Sequence, residues 1–382
     1  MSDTGTVQDR IEHFKNRGIA ALVDLTATPQ RGILLARAEN IDPSTVNSMV
    51  TLGKGNIFAA VSAQRARELL LEDMAALSTR HPSPPHSLAQ ASISVEAREG
   101  VTTGISASDR AMTLRVLGDP RPHPGRLVKP GHVFPIRTKE GGALVKFALP
   151  EGAHDLVRLT YDSDGAAFID LLNDAGEFCA FPEVEEICKR HKLPLVTLDE
   201  LVRYRLENEL LVKRVAEAKL PTAVAGELRS YLYQSLIFEG EHLALVKGNL
   251  PSQEPVLTRV QSEFTFGDVF GGSNPPSRSQ LQEALHQIGS AERGVLLYLR
   301  RSEPGSLTAQ IEDWNTAYKR PTATAMKEYG IGAQILRDLG VRKIALLTGS
   351  TRKLEGLSPF GIEIVKQIPL QKDNQTQEDS RT

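Results

Sequence analysis

Hydroxyls, basic side chains and carboxylates gather at a few places where their spacing suits chemistry. From Arg98 to Arg115 the chain reads REGVTTGISASDRAMTLR, and KPGHVFPIR follows at 129–137. Arg98, Thr102, Thr103 and His132 supply positive charge and hydroxyl donors beside glycines, a set suited to a phosphate dianion. A plainer use stands next to it: Gly100 and Gly104 serve backbone conformation, the threonines satisfy local backbone groups, and His132 is a hydrogen-bonded structural histidine. A second segment, RVQSEFTFGDVFGGSNPPSRSQL at 259–281, carries Arg259, Glu263 and Asp268, whose opposite charges read as a structural salt-bridge network. Arg300, Arg301, Glu303, Arg320 and Lys327 crowd the loop at 300–327, either as solvated surface or as a rebuilt active site. The cysteines are only two, Cys179 and Cys188, so one chain cannot assemble a three-thiolate zinc site. Their spacing does not match a tight Cys-x-x-Cys knuckle, and no disulfide scaffold is indicated. Cys188 falls with Val184 and Ile187 on the apolar stripe of PEVEEICKRH and reads as a small buried hydrophobe. There is no Ser-His-Asp arrangement, Walker loop or convincing dinucleotide fingerprint; GIGAQI at 330–335 is weak alone.

These groups need a scaffold, and 382 residues suit about two domains. A charged fraction of 24%, a hydrophobic fraction of 40% and a net charge of -2 describe an ordinary globular chain with no pull toward nucleic acid or anionic membrane. No apolar run approaches the roughly 20 residues of a membrane helix, and MSDTGTVQDR lacks a signal peptide's apolar region, so a cytoplasmic location is expected. Residues 6–15 predict an amphipathic helix with Val7, Ile11 and Phe14 on one face. The run HPSPPH at 81–86 predicts loop. RYRLENELLVKRVAEAK, residues 203–219, predicts a charged helix ended by Pro221. The expected organisation is a first domain at 1–205, a helical linker at 206–221, a second domain at 222–370 and a disordered tail at 371–382. In the second domain EHLALVKG, GVLLYLR and KIALLTG predict strands and YGIGAQILRDLG a helix, an α/β alternation. Ser279 and Gln282 have the spacing of a capping box.

Several long motifs then carry a resemblance. REGVTTGISASDRAMTLR, KPGHVFPIR and RHKLPLVTLDELVRYR at 190–205 resemble 3,4-dihydroxy-2-butanone 4-phosphate synthase. The segment at 259–281 and EYGIGAQILRDLGVRKIALLT at 328–348 resemble GTP cyclohydrolase II. Together, from about residue 7 to residue 370, the chain is similar to the bifunctional riboflavin-biosynthesis enzyme. The resemblance implies an α+β first domain and an α/β second domain, Mg²⁺ and Zn²⁺ as the family's metals, and dimers.

Set against the family's motifs, much of the chemistry is missing. The synthase's acidic loop, DDEDRENEGD, here reads DLTATPQRGI from Asp24, with Pro29, Arg31 and Ile33 at acidic positions. GHTEA has become ALPEG at 148–152, keeping Glu151 but losing the histidine, and Asp170 stands for a later glutamate. Asp24, Glu151 and Asp170 are the remnants of the catalytic set, while Arg98, Thr102, Thr103 and His132 match the phosphosugar region. Phe58 replaces a cysteine. In the second half Phe264, Pro275 and Ser277 occupy the positions of three zinc cysteines, Ala325 and Lys327 those of a catalytic aspartate and an arginine. Arg259, Glu263, Thr348 and Lys353 match the nucleotide region, and stand either for retained nucleotide binding or for strand-end packing and a solvated lysine. The expectation is a chain with no resident metal or cofactor and neither standard activity, a homodimer or a heteromer with an active homologue, binding that partner or a phosphorylated small molecule. Two alternatives accompany it: altered specificity toward a related phosphosugar or nucleotide, and residual activity in a riboflavin step.

Overall fold

The structure is a computed structural model that describes residues 5–74, 91–237, 240–272, 276–301, 307–308, 310–311, 322–349 and 361–370. The proline-rich run at 81–86, the tail at 371–382 and Lys353 lie outside the described residues. The chain divides into two units, Met1–Arg205 and Leu206–Thr382.

The first unit opens with α1 (Val7–Arg17), begun by a capping box in which Asp9 N–H donates to the Thr6 hydroxyl at 3.2 Å and Thr6 N–H returns to Asp9 at 2.7 Å. Ile11 and Phe14 are buried, as their spacing predicts. There follow β1 (Ala20–Asp24), β2 (Arg31–Arg37), α2 (Pro43–Gly53), β3 (Lys54–Val61), α3 (Ala63–Glu68), β4 (Val95–Ala97) and α4 (Ala107–Gly118). Then come β5 (Leu127–Arg137), α5 (Leu149–Tyr161), β6 (Ala166–Leu171), α6 (Phe181–His191), β7 (Leu195–Thr197) and α7 (Leu198–Asn208). The strands make one mixed sheet in the order β4-β5-β3-β6-β2-β1-β7. Its register sets Asp24 opposite Arg31, Ile33 opposite Asp170, and Phe58 opposite both Phe168 and Phe134. Because side chains alternate, these residues share one face. The other face carries the main core, including Val23, Leu34, Ile57, Ile169 and both cysteines. Cys188 is the buried hydrophobe its stripe predicts, and burial pushes its thiol up to about 12.

The second unit corrects the expectation of a helical linker. Residues 203–208 are helical, but β8 (Val212–Thr222) is a strand that pairs along its length with β9 (Gly226–Ser235). Lys, Arg, Ala and Glu over 213–219 suit a helix locally; cross-strand pairing, which local sequence does not display, overrides that preference. Pro221 therefore sits in an edge strand, where a missing donor is tolerated.

Next are β10 (Glu241–Lys247), β11 (Val256–Ser262), α8 (Thr265–Asp268), α9 (Ser277–Ser290), β12 (Gly294–Leu299), α10 (Thr322–Asp338), β13 (Lys343–Thr348) and β14 (Glu363–Pro369). The sheet order is β14-β13-β11-β12-β10-β9-β8, parallel from β12 through β14 and antiparallel from β12 to β8. Ala284 and Ile288 of α9 are buried in a cluster with Leu245, Leu296 and Leu347. The fold class is the α/β one expected. The capping box at Ser279 is not formed: α9 begins at Ser277, and the Ser279 hydroxyl donates to the Pro276 carbonyl at 3.2 Å. A serine and a glutamine at the right spacing cannot cap a helix that starts two residues earlier.

Candidate functional site

Where β1 ends, β2 begins and β6 ends, the shared face of the first sheet opens into a cavity of about 280 Å³. Asp24, Arg31 and Asp170 line it together with Ile33, Phe58, Phe168 and the start of α5 from Phe147 to Pro150. Arg31 Nη2 donates to Asp170 Oδ1 at 2.7 Å, and its guanidinium lies 4.5 Å from the Phe178 ring centroid. Phe58 stacks on Phe168 with centroids 5.2 Å apart. Asp24 closes a local turn: its Oδ1 accepts from Thr26 N–H at 2.8 Å, the Thr26 hydroxyl at 2.7 Å and Ala27 N–H at 3.2 Å.

Two of the three catalytic remnants thus meet, and the third does not. Glu151 follows Pro150 on α5 but is fully buried and does not line the cavity; its Oε1 lies 3.4 Å from Lys146 Nζ. One helical residue turns the side chain by about 100°, enough to send Glu151 into the interior. Burial raises its carboxyl above the usual range, opposed by Lys146.

None of Arg98, Thr102, Thr103 and His132 lines that cavity, and all four are exposed. Arg98 Nε donates to the Gly125 carbonyl at 2.6 Å, the Thr102 hydroxyl to Asp109 at 2.8 Å, and His132 Nδ1 lies 3.3 Å from Glu96. Gly104 has φ +82, and a Cβ there would sit 1.2 Å from the Glu96 carboxylate. Local backbone and packing therefore account for this glycine.

In the second unit the segment matching the zinc loop is built around Asp268. Phe264 N–H donates to Asp268 Oδ2 at 2.9 Å and the Tyr298 hydroxyl donates to the same oxygen at 2.7 Å. Gln261 Nε2 donates to Asp268 Oδ1 at 3.2 Å and to the Ser277 hydroxyl at 2.8 Å, while that hydroxyl donates to Oδ1. Arg259 Nη2 donates to Gln261 Oε1 at 2.6 Å. Burial and the adjacent Asp268 hold the Tyr298 phenol well above its usual range, so it stays a donor.

The salt-bridge network expected of Arg259, Glu263 and Asp268 is corrected accordingly: Arg259 reaches Asp268 through the Gln261 amide, and Glu263 accepts instead from Arg301 N–H at 2.8 Å. The arginine lies across the strand face from the carboxylate, and an amide two residues along fills the gap. Thr348 is buried at the end of β13, beside the Leu347 carbonyl that accepts from Arg259 at 3.2 Å. Gln261 and Tyr298 were not singled out from sequence; the period-2 spacing of Arg259 and Gln261 on one strand was the available signal.

Among the described residues no three His, Cys, Asp or Glu side chains are grouped to hold an ion. A Cβ on Gly267 would lie 2.5 Å from Phe264 and 2.8 Å from Ser277, so two of the three positions matching zinc cysteines are brought together. They offer a ring and a hydroxyl already bonded to Asp268, not thiolates. At the first cavity, Asp170 is taken by Arg31, a cation the chain itself supplies. Pro275 and the side chains of Ala325 and Lys327 lie outside the described residues, as does most of the loop at 300–327.

Comparisons with known proteins agree with this two-part architecture. Residues 8–204 match the family model of 3,4-dihydroxy-2-butanone 4-phosphate synthase, and residues 213–369 that of GTP cyclohydrolase II. The chain is 34% identical over 377 residues to riboflavin biosynthesis protein RibBA of Aquifex aeolicus, covering 96% of this chain and 92% of that one. It is 35% identical over 377 residues to RibBA of Bacillus subtilis, covering 96% and 93%. A solved structure from A. baumannii, RibBX, described as a two domain 3,4-dihydroxy-2-butanone 4-phosphate synthase, superposes with a TM-score of 0.74 at 25% identity, covering 97% of this chain and 100% of that one. No helix among the described residues is long and apolar enough to cross a membrane. The chain belongs to the RibBA-like riboflavin-biosynthesis family, which joins a 3,4-dihydroxy-2-butanone 4-phosphate synthase module to a GTP cyclohydrolase II module.

Proposed function

We propose that this member of the family runs neither standard reaction and acts by binding, as a subunit partnered with an active homologue or as a receptor for a phosphorylated metabolite. The observation that carries the reading is shared by both units: groups of the chain itself occupy the places where metal ligands would act. Enolising a phosphosugar requires a hard cation on oxygen ligands and a base near the reacting carbon. Asp170 is bonded to Arg31, and Glu151 is buried against Lys146, off the cavity. Opening the imidazole ring of GTP requires metal-activated water. Ser277 instead forms part of a closed hydrogen-bond network.

The test is formate release from ribulose 5-phosphate with Mg²⁺ and from GTP with Zn²⁺, using chain purified under metal-replete conditions. No formate from either substrate, and no stoichiometric zinc by mass spectrometry, is the expected result. Formate at rates typical of the family overturns the reading. Mixing with an active homologue, followed by native mass spectrometry, tests the partner role; only homo-oligomers in the mixture would remove it. A second reading, residual synthase activity alone, draws support from the description of the A. baumannii relative, and the first of the two formate assays decides it.

A further inference from the structure

The cavity of the first unit has the wrong chemistry for a phosphosugar and the right chemistry for something else. Its charged groups are Asp24, Asp170 and Arg31, which sum to one negative charge. A phosphate dianion entering it would meet that charge with no metal to offset it. Most of the remaining lining is carbon: Phe58, Phe168, Phe147, Ile33, Ile136 and Leu149. Phe58 and Phe168 are stacked with an interplanar angle of 17°, and both line the space.

Of the two carboxylates, Asp170 is committed to Arg31. Asp24 is half-committed: all three of its hydrogen bonds end on Oδ1, and none among the described residues reaches Oδ2. The volume, about 280 Å³, is just below the usual range for drug-sized ligands and suits a small molecule.

We propose that this cavity binds, without metal, a small flat aromatic molecule bearing an amino or amidinium donor, its ring against the phenylalanines and its donor on Asp24. The inference rests on the reading that the first unit does not run the metal-dependent synthase reaction. Arg31 then does two things. It pairs with Asp170, and it leaves Asp24 Oδ2, which has no hydrogen bond among the described residues, to select the ligand's charge.

The test uses benzamidine and benzoate, a matched pair with one ring and opposite charge, titrated calorimetrically into the full chain in the presence of a chelator. Benzamidine is expected to bind at millimolar concentration and benzoate not to bind. Asp24→Asn keeps the Oδ1 acceptor of the turn and should weaken benzamidine about tenfold or more, the loss of one charge-assisted hydrogen bond. Arg31→Met, which frees Asp170, should strengthen it. Benzoate or inorganic phosphate binding as tightly as benzamidine, a requirement for Mg²⁺, indifference to Asp24→Asn, or no binding at all each overturns the proposal. If formate is produced from ribulose 5-phosphate, the functional reading falls with it; if no formate appears and benzamidine does not bind, only the cavity's ligand class falls.

Discussion

The two units differ in how the residues at positions matching the family's metal ligands are held. In the first, Arg31 pairs with Asp170 and a cavity lies open beside the pair. In the second, Asp268 draws in Phe264, Gln261, Ser277 and Tyr298. One place is a charged pocket and the other is part of the fold's hydrogen-bonded interior. Polar groups that satisfy one another can be buried at little cost, whereas the pair beside the cavity satisfies its own charges and leaves the neighbouring Asp24 Oδ2 to a ligand.

The sharpest way to break this contrast is to remove the hub. Asp268→Ala leaves four donors without their acceptor and should destabilise the second unit by roughly 3 kcal/mol or more, read by hydrogen exchange of the strands around it. Arg31→Met should cost the first unit much less, about 1 kcal/mol, because both partners of that pair retain some contact with solvent. Equal costs would mean that the two places are filled in the same way.

A pH test reads an effect of the same order as loss of the hub. His242, on β10, is buried, neither ring nitrogen has a hydrogen-bond partner among the described residues, and burial, helped by Arg300, lowers its pKa from 6.5 to about 4. The folded state therefore binds this proton less readily than the unfolded one. The contribution is complete above pH 6.5 and is lost as pH falls through that window toward about 4. The slope approaches about 1.4 kcal/mol per pH unit. His242→Leu should flatten the dependence within that window, measured as the difference in unfolding free energy between the two proteins. A parallel pair of curves would remove the histidine from the account. Ser277→Ala should cost no more than Arg31→Met, about 1 kcal/mol, since Asp268 keeps its other donors.

How much of this was readable beforehand depends on the range of the interactions involved. The amphipathic helix near residues 6–15, the buried stripe holding Cys188 and the strands at 241–247, 294–299 and 343–348 follow from patterns only a few residues long. The hairpin at 212–235 does not: its first strand has helix-like composition and is held by a partner strand. At the sites, sequence identified what was missing, the thiolates and most of the acidic loop. It did not show how the residues standing at those positions are bonded.

By itself the sequence determined the family, the two-module order and the impossibility of a three-thiolate centre, because these depend on residue identity and order along the chain. Only the tertiary structure decided that Asp24 and Asp170 share a cavity while Glu151 does not, and that Arg31 pairs with a residue 139 positions away. Only it revealed Gln261 as the link from Arg259 to Asp268. Strand register and helical phase set these relations, and both are fixed by packing of the whole sheet, which no short stretch of residues encodes.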